Sequence, residues 1–304
     1  MPSVSTSAFY DRSSLSLSSL RAQAEKLQAE IGSGQRLGAG SDDPVAAARL
    51  RGLARGEAFA AIDTTAANRA TSDLQLTDSA LTSFSDTVIR AQELATQAAN
   101  GVLSTGQRAG IATELGQIQS ELIRLANTRD STGHALFGGE ATGQAYALDA
   151  SGNAAYVGTT TAGQIALGDG QSVTRGITGP EAFHFTGPGG ATNLFAVVKG
   201  LADALGGGVA DPPQAARDAL GSLNAGLETI TTAQTVVGAR LNWIDLTTTR
   251  RTQVSEQQAS EQAALGGTDM AETVTRLQQT MTVLEASQAS FAKLAGLSLF
   301  DLLR

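Results

Sequence analysis

Two histidines (His134 and His184), an adjacent pair of aspartates (Asp42 and Asp43) and four glycines between Gly32 and Gly40 are the residues whose types and spacing could do chemistry. Histidines and carboxylates could bind a metal or move protons, and a glycine run could cradle phosphate. Neither histidine has a second histidine or a carboxylate at metal-ligand spacing. The aspartate pair has no further His, Asp or Glu within ten residues, and Pro44 follows it, as at a helix start. The glycines have no apolar strand before them and no Gly-Lys-Ser/Thr after them, so they read as a hinge between helices. Cysteine is absent, which excludes disulfides and thiol chemistry, and no Gly-x-Ser-x-Gly elbow occurs. No catalytic, cofactor or metal site is read from this sequence, and an enzyme is unsupported.

The elements that would have positioned such residues are more informative. Aromatics make up 4% of the 304 residues and hydrophobics 41%, much of it alanine, which suits long helices packed side by side. The charge of −8 comes from 21 basic and 29 acidic residues scattered along the chain, so no basic stripe is present to follow nucleic acid or anionic lipid. No apolar run approaches the roughly 18 residues of a membrane span. The first positive side chain is Arg12 and no apolar run follows it, so a cleaved secretory signal is not expected.

From Val45 to Asn100 there is no proline, and Leu74, Leu81, Phe84, Val88, Ala91, Ala95 and Ala98 keep a heptad register broken at Thr77. Asn100-Gly101 ends that helix. Ser104 and Gln107 have capping-box spacing for a second helix, whose seam is Ile111, Leu115, Ile118, Leu122 and Leu125. Glycines and turn signals then predict short strands at 145–148, 154–157, 164–167 and 171–174. Helix returns at 193–205 and again after Asp211-Pro212-Pro213, with a seam from Leu220 to Ile244. The polar stretch from Thr247 to Gln262 and the pair Gly266-Gly267 are expected to separate it from a terminal helix opened by Asp269 and Glu272.

That terminal helix carries Val274, Leu277, Met281, Leu284 and Phe291 at steps of three, four, three and seven, interrupted at Gln288. The first thirty residues repeat Leu20, Ala24, Leu27 and Ile31 at four, three and four. Each end thus carries half of a coiled coil. Leu20, Leu27, Ile31, Val274, Leu277, Met281, Leu284 and Phe291 are the expected assembly interface, the two ends packing on each other, on neighbouring copies, or both. The expected fold is mainly α: an elongated long-helix coiled-coil bundle formed by both chain ends, with a small β-rich inserted domain. Its segments are 1–40 (assembly helix and hinge), 41–137 (long helical hairpin), 138–192 (β-rich insertion), 193–266 (returning helices) and 267–304 (assembly helix).

Several stretches resemble the bacterial flagellin superfamily: Gly34-Gln35-Arg36-Leu37, Ser41-Asp42-Asp43-Pro44-Val45-Ala46-Ala47-Ala48 and Glu93 to Gly101, and at the other end Leu284-Glu285-Ala286-Ser287 with Leu297 to Leu303. Ser-Asp-Asp-Pro at 41–44, and Ala126-Asn127-Thr128 leading to Gly133-His134-Ala135-Leu136-Phe137-Gly138-Gly139, point within that superfamily to the branch at the hook–filament junction. The departure is Ala39-Gly40, where a proline is expected. The resemblance implies export by the flagellar type III apparatus with a chaperone, terminal helices paired inside a tube, and an outward β domain. It also implies partners: further copies of the chain, a neighbouring hook-associated protein and flagellin. A flagellin forming the filament itself, and a surface module binding a ligand on a helical stalk, are the rival readings.

Overall fold

The structure, a computed structural model, describes residues 6–301, with side chains described from 8 to 293. Seven α-helices and six short strands follow in the order α1 (Thr6–Ser33), α2 (Pro44–Ala99), α3 (Thr105–Ala126), β1 (Tyr146–Leu148), β2 (Ala154–Tyr156), β3 (Gln164–Gly168), β4 (Gln171–Thr174), α4 (Gly179–Phe183), β5 (His184–Gly187), β6 (Gly190–Asn193), α5 (Leu194–Asp203), a π-helical turn (Ala204–Gly208), α6 (Pro212–Gly266) and α7 (Met270–Asp301). Two compact units divide them. One comprises residues up to Ala58 together with those from Gln253 onward, and the other runs from Phe59 to Thr252.

The helix starts follow side chains able to accept from free amides. Asp43 accepts from the Ala46 amide at 3.0 Å, Asn193 from Ala196 at 2.9 Å, Asp211 from Gln214 at 3.1 Å and Asp269 from Glu272 at 3.0 Å. Ser104 and Gln107 close the reciprocal capping box of α3. The polar stretch from Thr247 to Gln262 was expected to end a helix, yet it lies inside the 55 residues of α6. It contains neither glycine nor proline, and threonines such as Thr252 bond back to the carbonyl four residues earlier, so nothing local interrupts the backbone ladder.

In the unit from Phe59 to Thr252 the heptad stripe of α2 is inside, with Leu74, Leu81, Phe84, Val88, Ala91 and Ala95 all without exposure. Thr77, the polar step, is equally buried because its hydroxyl donates to the Asp73 carbonyl at 2.8 Å. Leu115 and Leu122 of α3 and Leu223, Ile230 and Val237 of α6 belong to the same core, and α5 packs on α3.

The strands form three separate antiparallel hairpins, β1–β2, β3–β4 and β5–β6. Four strands fall where turn spacing places them. The β5–β6 hairpin and α4 are further elements, formed at Gly179-Pro180 and around the turn Gly187 to Gly190. Tyr146 and Phe183 from residues 138–192 join Phe84 of α2 and Phe195 of α5 in one aromatic cluster, with Phe137 against Phe183. Two-stranded hairpins are marginal by themselves, and burial in the shared core, through Tyr146 of β1, Leu167 of β3, Val173 of β4 and Phe185 of β5, supplies what they lack.

Candidate assembly interface

The other unit brings the two ends of the chain together. α1 runs toward the first linker and α7 away from the second, and the two pack antiparallel, with the Tyr10 and Phe291 rings edge to face at 5.5 Å between centroids. Ala24 and Leu27 of α1 are buried, while Leu20 and Ile31 are half-buried. Among the described side chains of α7 the buried positions are Thr273, Thr280 and Leu284, with Leu277 and Phe291 half-buried.

Val274 and Met281 are less covered, 38% and 37% exposed. Each follows a buried threonine by one residue, which is about 100° around a helix of 3.6 residues per turn. The apolar stripe of α7 is therefore wider than its buried part. The threonine positions were not read from the sequence. Thr280 shows why threonine is tolerated there: its hydroxyl donates to the Arg276 carbonyl at 2.8 Å, so it is buried with its polar group satisfied. A cue was available in the repeat Thr273, Thr280, Ser287, spaced by seven.

Toward the free ends of the pair, Phe9, Ser13 and Leu17 of α1 and Val283, Ser287 and Phe291 of α7 border an open groove of about 380 Å³. Phe9 and Val283 are exposed on its margins. Four serines and Ala286 line this groove together with the apolar Phe9, Leu17, Val283 and Phe291. The second half of the C-terminal sequence pattern, Leu297 to Leu303, lies outside the residues whose side chains are described.

The aspartate pair serves this unit too. Asp43 caps α2 and takes Arg36 at 3.3 Å. Asp42 accepts from the Gly38 and Ala39 amides and pairs with Lys26 of α1 at 3.2 Å. The Ala46 amide holds the Asp43 carboxyl below the usual carboxylate range, and the Ala39 amide, followed by Lys26, does the same for Asp42. Arg49 of α2 makes a two-pronged ion pair with Glu261 of α6, at 2.6 and 2.8 Å. His134 accepts or donates to the Thr132 hydroxyl at 2.9 Å, and His184 lies 3.3 Å from the Tyr146 hydroxyl. Among the described residues no three His, Asp or Glu side chains converge as a metal site, and no helix is long and apolar enough to cross a membrane.

Comparison with known proteins finds a family and several relatives similar to this chain. The family described as the bacterial flagellin N-terminal helical region matches residues 4–142. Flagellar hook-associated protein 3 of Escherichia coli (strain K12) is 29% identical over 98% of this chain and 98% of its own. Its counterpart in Salmonella typhimurium is 26% identical over 99% of each. A solved structure from Vibrio parahaemolyticus, described as a flagellar hook-associated protein, superposes with a TM-score of 0.69 at 21% identity, over 74% of this chain and 100% of that one. At that identity the likeness speaks for the fold.

Proposed function

We infer that this chain, which belongs to the bacterial flagellin superfamily and matches flagellar hook-associated protein 3 from end to end, is a structural subunit of the flagellum that self-assembles as the adaptor between hook and filament. The observation that carries the reading is the extent of the match. It covers 98% of both chains, so both assembly ends and everything between them correspond to the junction protein.

The α1–α7 pair supports a role in assembly. Its exposed Val274 and Met281, and the groove bordered by Phe9 and Val283, are apolar surface that a neighbouring helix would cover. Leu20, Leu27, Ile31, Leu277, Leu284 and Phe291 then hold the two ends of one chain together, while Val274 and Met281 meet another copy. Other partners on this reading are an adjoining hook-associated protein, flagellin, and the export apparatus with its chaperone, with the assembled protein outside the cell.

Immunogold electron microscopy of intact flagella with an antibody against residues 140–190 tests the reading. One labelled band where hook meets filament is expected. Label along the whole filament would make the chain a filament subunit instead.

A further inference from the structure

The two linkers, one between α1 and α2 and the other between α6 and α7, lie against each other. Gln35 and Gly267 pair as an isolated antiparallel bridge. The Arg36 amide donates to the Gly266 carbonyl at 2.8 Å, and the Thr268 amide donates to the Gly34 carbonyl at 3.1 Å. The Arg36 guanidinium spans the same joint, reaching the Leu265 carbonyl at 3.0 Å on one side and the Asp43 carboxylate at 3.3 Å on the other.

We propose that the two linkers act as one joint, latched by Arg36, on which α1 and α7 turn together as a single body relative to the adjoining ends of α2 and α6. Two unpaired linkers would each let a helix swing by itself. Two strands joined by backbone hydrogen bonds cannot bend separately without breaking them, because each amide would lose its acceptor. The glycines fit this arrangement. Gly34 needs a φ of +69°, and a Cβ on Gly267 would meet the Ala263 carbonyl oxygen at 2.5 Å, so the bridge requires glycine on both strands. Turning as one body keeps the register between α1 and α7 while the joint bends. A slip of one turn between them would separate the Tyr10 and Phe291 rings. The inference goes beyond the junction reading and does not depend on it.

Hydrogen exchange at single-amide resolution on the full chain tests it through the Arg36 and Thr268 amides. Three variants are compared with the parent: Arg36→Ala, Gly34→Ala on the first linker and Gly267→Ala on the second. Each is expected to speed exchange at both amides together, by about tenfold or more, while amides around Leu284 in α7 keep the parent's protection. A variant that releases one amide and leaves the other protected would overturn the joint, as would a parent in which both exchange freely. Loss of protection in α7 along with the joint would overturn it too, since α1 and α7 would then depend on the joint instead of turning on it.

Discussion

Phe84 of α2 lies flat on Phe183 of α4, their ring centroids 4.2 Å apart and their planes 17° from parallel. One ring belongs to a heptad stripe on a 56-residue helix, and the other to a five-residue helix between short hairpins. Phe195 stands edge-on to both, at 5.7 Å from each. Phe84→Ala is therefore expected to cost about 3 to 5 kcal/mol and to loosen the hairpins along with the helices. Thermal unfolding followed by far-ultraviolet and near-ultraviolet circular dichroism checks this; near-parental stability would contradict a shared core.

Gly226 sits in the middle of α6, where alanine normally favours helix by about 1 kcal/mol. A Cβ there would lie 2.4 Å from Leu194 Cδ2 and 3.0 Å from Phe185 Cε1. Gly226→Ala should therefore destabilise the protein, by about 1 to 3 kcal/mol from overpacking. Denaturant titration decides the sign, and a gain in stability would mean that the contact with α5 is looser than described.

Asp73 and Asp130 face one guanidinium in opposite electrostatic states. Arg175 pairs with Asp130, which also accepts from the Thr132 amide and hydroxyl and from the His134 amide. Burial acts to raise the Asp130 carboxyl, but these bonds bring it below its ordinary value. Asp73 is buried with Arg175 Nε at 3.4 Å, and its carboxylate oxygens accept no hydrogen bond among the described residues. Burial, opposed by Arg175 and Arg69 and reinforced by Asp130, raises its carboxyl.

A raised carboxyl binds its proton more tightly in the folded state. This contribution therefore favours folding at low pH and is lost as pH rises from the ordinary value of 3.8 through the raised one. Asp73→Asn should gain on the order of 1 kcal/mol over the parent at neutral pH, by removing a buried charge whose oxygens accept no hydrogen bond among the described residues. The gain should shrink as pH falls toward 4. Melting curves of both proteins across pH 4 to 8 check it, and a constant difference would refute the assignment to Asp73.

Leu284 and Met281 separate the two roles proposed for the terminal helices. Leu284 is buried in the chain's own α1–α7 unit, whereas Met281 is 37% exposed. Leu284→Asp should abolish incorporation and lower the helix content of the isolated chain. Met281→Asp should leave that helix content unchanged and still weaken incorporation. Comparing circular dichroism with the amount of protein recovered in purified flagella tests both, and normal incorporation of either variant would defeat the assembly reading.

Much of this architecture was legible from local signals. The side chains of Asp43, Ser104, Asn193, Asp211 and Asp269 start helices because each accepts from a free amide within three residues, an interaction that sequence spacing alone describes. The α2 stripe was legible because helical periodicity and burial coincide along it, and the first four strands because glycine-rich turns bracket them. Three things had to await the tertiary structure. Val274 and Met281 share an apolar stripe with Leu284, yet only Leu284 is buried, because where a partner helix sits on a wide stripe depends on side-chain volumes on both helices. Phe183 enters the core beside Phe84, although some hundred positions separate them, and no periodicity spans that distance. The first glycine linker reads as a hinge and the second as a break between two helices. Their pairing across Gln35 and Gly267 depends on backbone groups, which every residue carries, so side-chain pattern leaves no trace of it.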